Sequence, residues 1–219
     1  MDETKTTTTE IAEASPDGLA KKEPPFSGGP KSIWTDPKMF KVADYMSKVL
    51  ATSDLVPEGT YKGKPANCLI ALEMAQRMGL SPLHVMQNLY IVKGKPAWSG
   101  QFCIAAANGS GLFSPIEFVQ LLNDDGTVRG YYAKATRLSD GKVCEGPPVD
   151  WDMVKGEGWY GKSGSKWQTM PDLMFRYRAA AFFVRTYCPE VLCGLQTYEE
   201  VQDVKGYNTG KETTVISFD

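Results

Sequence analysis

From Pro171 to Tyr187 the chain runs without a glycine or a second proline, and Pro189 follows directly, which bounds one long helix. Leu173, Tyr177, Ala180, Phe183, Val184 and Tyr187 spread apolar surface over too wide an arc for a helix that lies on the outside of a protein. Other elements must therefore cover it on more than one side, and its arginines must emerge at the margins. Arg178 and Arg185 are seven residues apart and share a face, whereas Arg176 points to nearly the opposite side at about 100° per residue.

The preceding chain supplies the cover. From Pro37, the apolar positions Met39, Val42 or Ala43, Met46, and Val49 or Leu50 recur every three to four residues, the period of an amphipathic helix. A second helix is expected over 65–78, stopped by Gly79, and Ser81-Pro82 opens a short third one that runs to Leu89. Leu89 to Val92, a Lys93-Gly94-Lys95 turn and Pro96 to Trp98 read as a β-hairpin with a basic tip, followed by a short helix over 99–107. Strands are expected over 112–122, 128–138 and 142–145, joined by the Asn123-Asp124-Asp125-Gly126 and Ser139-Asp140-Gly141 turns. After Pro147-Pro148 a Gly/Trp-rich loop over 156–167 leads into the long helix. The fold class is α+β: a small antiparallel β-sheet with packed helices and a long helix in the C-terminal half. Residues 1–32, rich in Thr, Pro, Gly, Ser and charge, read as a flexible arm, 33–198 as one core domain, and 199–219 as an acidic tail.

Charge follows the same division. The whole chain has 24 basic and 26 acidic residues, net −2, but residues 1–30 and 199–219 each carry −3, so 31–198 holds 19 basic against 15 acidic residues. Its excess is clustered in 62–95 and in 155–185, two stretches suited to one phosphate-binding surface or, more plainly, to a solvated face. For the arginines of the long helix the plain alternative is pairing with carboxylates such as Asp172 or Glu190. Aromatic residues near these cations, Trp98, Trp159, Tyr160 and Trp167, are candidates for stacking on bases. Trp159 and Tyr160 sit in a Lys-flanked glycine loop that gives them little reason to be core.

Several function classes are excluded or weakened. No stretch approaches the roughly 18 apolar residues of a membrane span, and the acidic, Thr-rich start is neither a signal nor a transit peptide, so the chain is expected in the cytoplasm. Five cysteines without a C-x-x-C pair and one histidine, His84, suggest reduced buried thiols and argue against a metal site or a His-based triad. No catalytic constellation, and hence no enzyme or cofactor, is expected. Gly156 to Ser163 does satisfy the G-x-x-x-x-G-K-[ST] pattern of a nucleotide-binding P-loop, the alternative reading. A P-loop needs a buried strand before it and a helix opening at its Lys-Ser. Here 150–155 makes a poor strand, and Gly164, Ser165 and Pro171 postpone the helix.

Two sets of motifs, in order, carry a resemblance. The first is Gly63-Lys64-Pro65-Ala66-Asn67-Cys68-Leu69-Ile70-Ala71, Met78-Gly79-Leu80-Ser81-Pro82, Met86-Gln87-Asn88 and Tyr90-Ile91-Val92-Lys93-Gly94-Lys95-Pro96. The second is Lys166-Trp167-Gln168-Thr169-Met170-Pro171-Asp172-Leu173-Met174, Arg176-Tyr177-Arg178-Ala179 and Cys188-Pro189-Glu190-Val191-Leu192-Cys193-Gly194-Leu195. Over about residues 39–204 the chain resembles the phage RecT-type single-strand annealing recombinases. The resemblance implies an ATP-independent protein of a bacterial host cell's phage. Such a protein binds single-stranded DNA, oligomerises on it as rings or helical filaments, and pairs it with a complementary strand through a duplex intermediate. It implies a fold distantly like the eukaryotic Rad52 annealing core, and as partners a phage exonuclease and the host single-stranded DNA-binding protein. Members often continue into a C-terminal partner-binding segment; here the resemblance ends fifteen residues before Asp219.

On this resemblance Lys162, Lys166, Arg176, Arg178 and Arg185 are expected to hold phosphates, with Lys93 and Lys95 as a second line. Trp98, Trp159 and Trp167 would stack on bases or shape the groove, and Gln101 and Asn88 would bond phosphate or sugar. The N-terminal helix and the sheet edge would be the assembly surfaces.

Overall fold

The computed structural model describes residues 32–92 and 94–203. Proline opens α1 (Pro37–Leu50), α2 (Pro65–Met78) and α3 (Pro82–Asn88), where its missing N–H costs nothing and its fixed φ suits the helix. The Asp36 carboxylate caps α1 by accepting the Lys38 and Met39 N–H groups at 2.8 and 3.4 Å, and Gly79 ends α2 at φ 66°. The hairpin forms as β1 (Leu89–Val92) against β2 (Lys95–Trp98), and Ser99 caps α4 (Gly100–Gly109).

A four-stranded antiparallel sheet follows, made of β3 (Glu117–Leu122), β4 (Val128–Thr136), β5 (Val143–Glu145) and β6 (Val149–Asp150). β4 is its centre: β3 pairs along one edge, while β5 and β6 share the other, end to end. Gly146-Pro147-Pro148 separates these last two, as proline withholds the ladder N–H. β6 approaches so closely that a Cβ on Gly130 would lie 2.2 Å from the Val149 carbonyl oxygen. The strand expected from residue 112 begins at Glu117 instead. Pro115 interrupts the ladder, leaving a bridge between Phe113 and Arg137 flanked by backbone hydrogen bonds from the Ser114 N–H to the Thr136 carbonyl at 2.8 Å and from the Leu138 N–H to the Leu112 carbonyl at 2.9 Å.

The remaining elements are α5 (Trp151–Gly156), α6 (Lys166–Thr169), α7 (Pro171–Tyr187), a 3-10 turn over Pro189–Leu192 and α8 (Tyr198–Asp203). Among the described residues this is a mixed α+β architecture with sheets of two and four strands and the long helix in the C-terminal half. α7 lies between β4 and α4, which is how its broad apolar arc is covered. Ala179, Ala180 and Ala181 are fully buried, small enough for neighbouring backbones to approach closely. A Cβ on Gly100 would meet the Tyr177 ring at 2.7 Å. α1 turns Ala43 and Ser47 inward and leaves Val42, Tyr45, Met46 and Val49 exposed along its other side. No helix of the described residues is long and apolar enough to cross a membrane.

Candidate nucleic-acid interface

Thr197, Tyr198, Glu199 and Glu200 build the centre of the candidate site, although the sequence reading assigned Glu199 onward to a tail. Beyond the 3-10 turn the chain runs back along β2, where the Trp98 N–H donates to the Gln196 carbonyl at 3.0 Å, and then coils into α8. Thr197 and Glu200 form a reciprocal cap: the Thr197 N–H donates to Glu200 Oε2 at 2.9 Å and the Glu200 N–H to Thr197 Oγ1 at 3.4 Å. This Thr-x-x-Glu spacing was the signal in the sequence that could have located α8.

The other oxygen of the same carboxylate takes up two arginines of α7. Arg185 Nη1 donates to Glu200 Oε1 at 2.6 Å, and Arg178 Nη1 lies 3.7 Å from it. The Glu200 side chain is 3% exposed and that of Arg178 4%, so this is a buried charge cluster. The Arg178 guanidinium also lies over the Trp159 ring, 4.1 Å from its centroid. Lys162 Nζ donates to the Gln202 carbonyl at 2.8 Å, and Tyr198 packs on Tyr90 of β1 with ring centroids 5.0 Å apart. Glu199 accepts the Gly100 N–H at the start of α4, with Arg178 and Lys166 near enough to favour its charge. Burial outweighs them and raises its carboxyl above the ordinary glutamate value, and among the described residues Glu199 Oε2 has no hydrogen-bond partner.

The long helix, the Lys162 loop and the hairpin thus meet around α8. Of the expected phosphate ligands, Arg185, Lys166 and Lys95 are exposed and Lys162 is half-buried. Gln101 is exposed in the first turn of α4, beside Gly100. Arg176 stands apart: its guanidinium lies 5.7 Å from the ring centroids of both Phe118 and Tyr131, over the sheet. Lys93 falls outside the described residues.

Five of the expected residues are buried or engaged within the fold. Arg178 and Arg185 follow the plain alternative of pairing with a carboxylate, the partner being Glu200 of α8 in place of Asp172 or Glu190. Trp98 has no exposed surface, donates its indole N–H to the Leu192 carbonyl at 3.1 Å and stacks on Phe102. Trp159 and Trp167 stack on each other with centroids 5.6 Å apart, so neither offers a face to a base. In that loop only Tyr160, 43% exposed, is available. Asn88 is occupied in joining α3 to the α4 cap, donating to the His84 carbonyl at 2.9 Å and accepting from Ser99 Oγ at 3.0 Å.

The P-loop pattern also lacks its setting. A helix, α5, precedes it where a strand is needed, and the next helix opens at Lys166 rather than at Lys162-Ser163. Compared with protein-family models, with curated proteins and with solved structures, the chain matches none.

Proposed function

We propose that the chain is an ATP-independent single-stranded DNA-binding and annealing protein that oligomerises on DNA and pairs complementary strands in phage recombination. The observation that carries this reading is the convergence of Lys162, Lys166, Arg178 and Arg185, from separate parts of the sequence, around one short helix. The ordered motifs resembling the RecT-type recombinases support it independently. Two DNA strands repel through their phosphates, and a surface that neutralises both lowers the barrier to their encounter. Base pairing then supplies the specificity, so the protein need engage only backbone and stacked base faces and needs no catalytic group. Arg185, Lys166 and Lys95 would hold phosphates, and Tyr160 would take the stacking role first given to the tryptophans. The exposed apolar row Val42, Tyr45, Met46 and Val49 on α1 and the open edge of β3 are the surfaces for side-by-side assembly.

The test is annealing of two complementary fluorescent oligonucleotides without nucleotide. Wild-type protein is expected to accelerate pairing over the spontaneous rate, and Lys95→Ala/Lys166→Ala to lose at least tenfold of that acceleration. Folded wild-type protein that leaves the spontaneous rate unchanged overturns the proposal.

A further inference from the structure

The acidic helix α8 occupies the very cations that the annealing reading requires. Glu200 sits on Arg178 and Arg185, the Gln202 carbonyl takes the Lys162 ammonium, and Glu199 lies within reach of the Lys166 charge. The Glu200 carboxylate accepts a charge-assisted hydrogen bond from Arg185 and pairs with Arg178 at 3.7 Å, the kinds of contact a phosphate would make there. Beyond these charges the helix is anchored by Tyr198 on Tyr90 and by Glu199 on the Gly100 N–H; it has only six residues, and Glu199 Oε2 is buried without a hydrogen-bond partner among the described residues. An element tied down by ion pairs and burdened with an unmet polar group is poised to release.

We propose that α8 is an autoinhibitory latch, which seats the Glu200 carboxylate on Arg178 and Arg185 in place of a nucleic-acid phosphate and lifts away when single-stranded DNA takes those arginines. The inference rests on the DNA-binding reading. Lifting α8 also uncovers Lys162 and the side of Tyr90 that Tyr198 covers, which adds a cation and an aromatic face to the same groove. The apparent affinity for DNA is then the intrinsic affinity reduced by the fraction of molecules with α8 open.

Glu200→Gln is the informative variant, because glutamine keeps the reciprocal cap with Thr197 while removing the charge from the arginines. Its expected effect is about tenfold tighter binding of a thirty-nucleotide oligo(dT), from a tenfold larger open fraction. Glu157→Gln, an exposed site with the same change in net charge, is expected to stay within about twofold of wild type. Hydrogen exchange on the unmodified protein gives a readout independent of any variant: oligo(dT) should abolish protection at the Val201 and Gln202 amides. Protection there that stays or rises on bound DNA overturns the latch, as do equal affinity changes in the two variants, while DNA binding itself stands. If neither wild type nor Glu200→Gln binds oligo(dT), the DNA-binding reading falls with it.

Discussion

Glu200 shows how much a single carboxylate can hold together. One oxygen closes the cap on Thr197 and the other joins buried Arg178 to Arg185, whose own side chain is half exposed. Removing Arg178 takes away the buried cation of the cluster, leaves Glu200 with half-exposed Arg185 alone and opens a void beside Trp159. Arg178→Ala is therefore expected to cost about 3 kcal/mol of stability, part of it from the lost seat over Trp159. Urea unfolding measures it, and a loss within about 0.5 kcal/mol, typical of a surface site, contradicts the assignment. The thiols are the other residues whose state follows from burial. Burial pushes the Cys188 thiol up to about 12 and raises Cys68, Cys103 and Cys193 as well, so all four stay protonated near neutrality. Cys193 alone among the five is not fully buried, and a thiol reagent at pH 8 should label it first. Peptide mass mapping that finds Cys103 or Cys188 labelled in the folded protein would contradict this.

Among the elements, α8 and the β4–β6 pair are the most sensitive. Glu199 faces the Gly100 N–H of α4, Arg178 of α7 and Lys166 of α6, and burial still raises its carboxyl above 4.5. A group that holds its proton more tightly when folded stabilises the fold most below its unfolded value, and that stability is lost as pH rises through the raised folded value. Docked α8 should therefore be better protected from hydrogen exchange at pH 5 than at pH 7.5, after correction for intrinsic rates. Equal protection at the two values would show that Glu199 is not what loosens it. In the sheet, Gly130→Ala drives a methyl group into the β6 backbone and is expected to cost about 1–3 kcal/mol, seen as a lowered melting temperature. These elements differ in how readily the sequence revealed them. Helices opened by Pro37, Pro65, Pro82 and Pro171 stand where expected, because proline at the first turn acts locally. α5 is not legible in the sequence because its six residues show no periodicity; in the fold the Asp150 carboxylate caps it by accepting the Met153 N–H at 2.9 Å.

Across the whole molecule the charge pattern has a measurable consequence. If several phosphates are neutralised at once, the affinity for single-stranded DNA falls linearly with salt on logarithmic axes, by about 0.7 in slope for each contact. Wild type should show a slope steeper than about −2, and Lys95→Ala/Lys166→Ala one shallower by about 1.4. A flat salt response would remove the phosphate backbone as the ligand.

The amino-acid sequence by itself determined what depends on neighbours in the chain: the proline-opened helices, the glycine turns, the hairpin and the breadth of the apolar arc on α7. It also placed the basic stretches, since charge is counted residue by residue. Only the tertiary structure decided which of those residues face solvent. Trp98, Trp159, Trp167 and Arg178 read as surface ligands because each stands beside lysines or arginines in the chain, yet α4, α6, α7 and α8 close over them. Burial is set by what packs on a residue from afar, and the packing of α8 on α7 joins Glu200 to an arginine fifteen positions away. No local pattern encodes that meeting, because its free energy belongs to both elements together.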